Sequence, residues 1–85
     1  MPNRTRIDVL PIQEVVANAS PRAWRDGLVV AREADALTVA LLDGDLAVVT
    51  TIADAQPGEP VAVHPVAEVL AAGGAWYSAR RLVAG

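Results

Sequence analysis

Apolar and polar positions alternate most clearly in the middle of this chain. In "ALTVALLD" (36–43), Leu37, Val39 and Leu41 alternate with Thr38, Ala40 and Leu42, the two-residue period of a strand. The valine-rich "GLVVAREA" (27–34), bounded by Asp26-Gly27, predicts the strand before it. "DLAVVTTI" (45–52), rich in β-branched residues, predicts the strand after it. Between these runs "DGD" (43–45) is a hairpin signal, because a type I′ turn needs positive φ at its centre. Three strands with tight connections make an antiparallel meander.

The flanks are more ambiguous. Ile7, Val9 and Pro11 alternate as in a strand, which predicts a first strand near 7–10. "PIQEVVANAS" (11–20) places Pro11 at a helix-start position, with Ile12, Val15, Val16 and Ala19 at helical spacing, so an extended or short helical piece follows. "SPRAW" (20–24) reads as a turn anchored by Trp24, and "ADAQPGEP" (53–60) as a polar loop. "VAVH" (61–64) is a strand. Residues 65–74 admit two readings. One is a helix from Pro65 to the Gly73-Gly74 stop, barely two turns long and marginal alone. The other, preferred here, is a strand that turns at Gly73-Gly74 into "AWYSARRLV" (75–83).

The pattern predicts an all-β or mostly β fold: a small SH3-like barrel or roll of five to six antiparallel strands, with room for one short helix. Turn signals every 8–12 residues support it, and closure would remove exposed edges. Residues 1–6 are polar and expected to fray, leaving 7–85 as a single small domain.

Composition narrows the chemistry. A chain of 85 residues has a thin core. It has no cysteine, one histidine (His64) and no phenylalanine, so disulfides, thiolate metal sites and multi-histidine sites are excluded. Stability must come from packed Ala, Val and Leu, and shared apolar surface in a homodimer is the natural supplement. The basic residues are all arginine, and with the Ala/Val/Gly/Asp richness this resembles the output of a high-GC bacterial genome. Net charge is −3, which argues against nonspecific nucleic-acid binding as the main activity. No signal-peptide pattern and no long apolar run is present, so a cytoplasmic protein without membrane contact is expected.

The stretch "GEPVAVHPVAEVLAAGGAWYSARRL" (58–82) resembles the hairpin of Tudor and related SH3-like small barrels. There a Gly-led strand and a turn carrying Asp or Gly precede W-Y-x-A and a long strand. The matching positions are Gly58, Val61, Ala62, Gly74, Trp76, Tyr77 and Ala79. In a Tudor domain this hairpin comes first, before strands bearing an acidic D-Y-G; here it comes last, so the resemblance implies a permuted or analogous barrel. It does not imply methyl-residue reading, because an aromatic cage needs three or four aromatics. The chain has Trp24, Trp76 and Tyr77.

Candidate chemistry is sparse. A Ser-His-acid triad would need Ser20 or Ser78 beside His64, and only a hairpin across Gly73-Gly74 would bring Ser78 near it. His64 is better read as a strand-ending residue at the barrel rim. No G-x-G-x-x-G or Walker motif occurs, so phosphate and nucleotide cofactors have no support. Asp43 and Asp45 are too few oxygens for a calcium loop. The best candidate site is the aromatic–basic set Trp76, Tyr77, Arg80 and Arg81, joined by Trp24, Arg25 and Arg22. Aromatic faces and arginine forks suit a protein interface or stacked bases. The competing reading is that the two tryptophans and the tyrosine simply fill a core that lacks phenylalanine. In the last strand each face would carry one aromatic and one arginine. The expectation is a non-enzymatic interaction or regulatory module, without cofactor, that binds a protein partner or itself. A nucleic-acid-associated regulator using the Arg/Trp/Tyr patch is the alternative, and a pocket enzyme ranks last.

Overall fold

The computed structural model describes residues 5–82. They form a mostly β fold, 47% strand with one helix, built as a single mixed sheet of eight strands. The elements run β1 (Thr5–Arg6), α1 (Pro11–Ala19), a 3-10 turn (Pro21–Ala23), β2 (Arg25–Glu33), β3 (Ala36–Leu41), β4 (Leu46–Thr50), β5 (Pro60–His64), β6 (Val69–Ala72), β7 (Ala75–Ser78) and β8 (Arg80–Arg81). The sheet order is β1-β7-β6-β5-β2-β3-β4-β8.

The expected meander is β2-β3-β4, and β5 pairs with the other side of β2. The Gly73-Gly74 hairpin also forms, with Gly73 at φ 58° and Gly74 at φ 82° joining β6 to β7. Residues 65–68 are a turn and not part of a helix. β7 and β8 are halves of one stretch, parted by Ala79 alone. β7 is hydrogen-bonded to β6, whereas β8 is bonded to β4 near the far end of the sheet order. The sheet therefore curls into a roll without forming a closed ladder, since its outermost strands β1 and β8 do not pair.

The sheet has eight strands where five to six were expected, two further details depart from the sequence reading, and the choice left open at 11–20 resolves as a helix. The first strand lies at Thr5–Arg6, inside the segment expected to fray, and pairs parallel with β7, so the sheet is mixed and not purely antiparallel. Residues 11–19 are helical. Pro11 opens the helix, and the Gln13 side chain accepts from the Leu10 amide at 2.8 Å, covering a donor the first turn would leave open. The 41–45 hairpin is not the two-residue type: Gly44 N–H donates to the Leu41 carbonyl at 2.9 Å, and Gly44 sits at φ 100°. This is a type I turn closed by a left-handed glycine.

Alternation on the inner face of the roll builds the main core: Val29, Leu37, Val39, Val49, Val63 and Leu70 are among its buried members. Loop residues Ala53 and Ala55 and the junction residue Ala79 join it. A second cluster lies on the opposite face, where Ala17 and Val16 of α1 meet Ala67, Val69 and Trp76. β6 and β7 are thus packed on both faces, while the outer face of the meander stays uncovered.

Gly27, expected to bound a strand, lies inside β2. A Cβ there would stand 2.6 Å from the Ala40 carbonyl oxygen and 2.7 Å from Val39 Cγ1, so the residue permits close approach of β2 and β3. Gly27→Ala is expected to lower stability by about 1–3 kcal/mol, read as a fall in the urea midpoint at unchanged slope.

Candidate interaction site

The last strand divides into two chemically different halves at Ala79. The aromatic half is largely core. Trp76 is 7% exposed and belongs to the cluster beneath α1. Tyr77 points to the other face and packs, half-buried, on the main core. Both faces of this half are covered because α1 lies on the outer one, which the alternation of the strand alone does not reveal.

Trp24, at the end of the 3-10 turn, joins Trp76 with ring centroids 5.1 Å apart at 53°. It also meets His64 edge-on, at 5.1 Å and 89°. Trp24 and Trp76 are therefore brought together, in an aromatic junction between the sheet and the 3-10 turn.

His64 does not sit at a rim. It is fully buried at the end of β5. Its Nδ1 accepts from the Ala67 amide at 3.0 Å, which requires the proton on Nε2. Nε2–H then donates to the Ser20 carbonyl at 2.8 Å, just beyond the C-terminus of α1. One neutral imidazole thereby satisfies two backbone groups from the two segments it separates. A buried histidine with two backbone partners is a strut, and Ser78 is occupied elsewhere. Its amide donates to Asp8 Oδ1 at 2.6 Å, and its hydroxyl contacts Gln13 Nε2 at 3.2 Å. The triad geometry does not form.

Gln13 is a residue whose role the sequence did not disclose. Besides capping α1, its Nε2 donates to the Glu68 carbonyl at 3.0 Å, tying the helix start to the turn before β6. Glutamine three residues after Leu10, at the capping-box position, was the available signal.

The arginines separate as well. Arg25 is committed to the β3–β4 hairpin: Nε donates to Asp43 at 3.1 Å and Nη2 to Asp45 at 3.0 Å, with a second contact from Nη2 to Asp43. Its hydrogen bonds hold the Asp43 carboxyl below the usual carboxylate range, aided by the Asp45 amide, and the guanidinium itself is pushed up. Arg22 is exposed on the 3-10 turn. Arg80 and Arg81 are both exposed on β8, and neither forms an ion pair among the described residues.

Arg81 stands with Arg25 at the mouth of a small apolar pit of about 20 Å³, floored by Leu41, Val49, Val63 and Ala79. Arg80 lies in a separate groove of about 260 Å³ with Asp8, Asp35, Thr50 and Ser78. β8 ends the sheet order, so its outer backbone groups have no strand beside them among the described residues. Such an edge accepts an extended segment. No group of three or more acidic or histidine side chains suited to a metal occurs among the described residues. No described helix is long and apolar enough to cross a membrane.

Two outcomes test these assignments. Because folding lowers the Asp43 carboxyl below its unfolded value, the pair's contribution is present above the unfolded value and is lost as pH falls through the folded one. Arg25→Gln should move the Asp43 titration, followed by carboxyl ¹³C shift, up toward the ordinary carboxylate range, with the Asp45 amide still holding it down in part, and diminish this acid-side loss. His64→Leu should cost about 1–3 kcal/mol by leaving the buried Ala67 amide without its partner and removing one of the two donors to the Ser20 carbonyl, measured by urea unfolding.

No family model, no curated protein and no solved structure matches this chain.

Proposed function

We propose that this protein is a non-catalytic protein-binding module, a small SH3-like roll that docks a partner along β8. The observation carrying this reading is the chemistry around Arg81. A guanidinium without an ion pair among the described residues stands on an edge strand, beside an apolar pit whose other rim is the clamped Arg25. An extended segment laid along β8 would gain backbone hydrogen bonds. The tip of an aliphatic side chain would seat in the pit, and a neighbouring carboxylate would meet Arg81. Arg25 contributes shape, because its donors are engaged with Asp43 and Asp45.

The curl of the sheet and the hairpin at Gly73-Gly74 support the SH3-like description. For nucleic acid the support is weaker. Trp24 and Trp76 meet at a tilt, Trp24 meets His64 edge-on, Trp76 is buried, and Arg80 shares its groove with two aspartates. Stacking platforms need exposed rings.

The experiment uses the intact protein immobilised against a lysate of its host. Wild type is expected to retain a protein partner that Arg81→Glu releases at least tenfold, while the variant's melting temperature is unchanged. Retention undiminished by Arg81→Glu, or retention of nucleic acid that falls steeply with salt, would overturn the reading.

A further inference from the structure

The outer face of the meander carries exposed apolar side chains in register. Strand pairing aligns Pro60 of β5, Leu28 of β2, Ala40 of β3 and Leu46 of β4 in one row across the sheet. The next row aligns Ala31, Thr38 and Val48, with the exposed Val30 at the bulge just before Ala31, and Leu82 follows opposite Val48, to whose carbonyl its amide donates at 2.8 Å. Leu28 is 43% exposed, Leu46 64% and Leu82 47%. Singly exposed leucines are ordinary, whereas adjacent ones aligned across strands form a patch.

Charges lie at two opposite corners of this patch. Asp26 precedes Leu28 on the same face of β2, and Arg80 lies beside Thr50, on the same face as Leu82. Neither forms an ion pair among the described residues. Asp26 opens onto a groove of about 350 Å³ lined by Pro60, Ala62 and Ala71. Arg80 shares its groove with Asp8 and Asp35 without a hydrogen bond to either.

This arrangement is self-complementary. When two copies meet face to face, their two-fold axis lies in the contact plane and acts on the face like a mirror line. An axis perpendicular to the line from Asp26 to Arg80 carries each corner onto the other. We propose that a second copy of this chain covers the face, with Asp26 of each protomer against Arg80 of its partner and the leucine rows between them. The proposal deepens the docking reading by naming a partner, but it uses Asp26 and Arg80 and leaves Arg81 free.

The patch is limited. Four strands at ~4.8 Å spacing and three rows at ~6.8 Å give roughly 400 Å² per protomer, about half of a standard interface. Association should therefore be weak, with a dissociation constant on the order of 100 µM.

Sedimentation equilibrium from ~10 µM to ~1 mM spans that range. Wild type is expected to dimerise reversibly. Asp26→Arg and Arg80→Asp should each weaken dimerisation at least tenfold by placing like charges together, and the doubly swapped variant should recover it. Leu28→Glu should abolish it, and Arg81→Glu should leave it unchanged. Far-UV circular dichroism and melting temperature establish that each variant is folded. A wild type that stays monomeric at the highest concentration overturns the proposal, as do single swaps without effect or a folded double variant that does not recover. Loss of lysate binding in Arg81→Glu with a monomeric wild type would leave the docking reading standing and remove the dimer.

Discussion

The fold depends on one stretch of chain being shared between two parts of the sheet. Residues 75–81 hydrogen-bond to β6 at one end and to β4 at the other, which draws strands four places apart in the sheet order onto neighbouring residues. Ala79 makes the change of partner possible. Its methyl is buried in the main core, and its amide donates to the Glu68 carbonyl at 2.9 Å, so the junction leaves neither ladder nor core. A larger side chain there would meet a core packed with valines and leucines, where added volume forces neighbours from their rotamers. The curl in turn gives the inner aliphatics a common centre.

Because the roll is small and without phenylalanine, the aromatics work as joints. Trp76 and Trp24 hold the helix side of the sheet, and His64 bonds the end of α1 to the turn before β6. Asp8 and Gln13 fasten the same region to Ser78. These polar contacts lie on the face opposite the main core, around the smaller cluster beneath α1. The exposed chemistry is left to β8 and the meander.

Much of the β architecture was legible. The meander, the strand at 61–64 and the Gly-Gly hairpin follow from two-residue alternation and from glycines at positive φ. Partner choice was harder to read, because it is non-local. No periodicity in "AWYSARRLV" announces that Tyr77 faces Leu70 while Arg81 faces Val49. Trp76, Tyr77, Arg80 and Arg81 read as one surface because they are close in sequence, and Trp24, Arg22 and Arg25 join them only by residue type. In space the aromatics are core on two faces, and the arginines diverge: Arg25 into a carboxylate clamp, Arg80 and Arg81 to opposite sides of β8. His64 looked like a rim residue because sequence shows its polarity but not the two backbone groups awaiting it. Helix α1 was ambiguous for a related reason: its cap is a glutamine side chain returning to Leu10, and only Ala17 among its residues is fully buried.

The histidine joint also has a consequence for motion. An imidazole bonded through both nitrogens cannot turn over in place, since a half-rotation about its Cβ–Cγ bond would present carbon where each partner needs nitrogen. The Ala67 amide, which donates into the ring, is therefore sealed from solvent until the aromatic joint separates. Its exchange with deuterium would report the opening of that joint, one local mode distinguished from fraying at the strand edges.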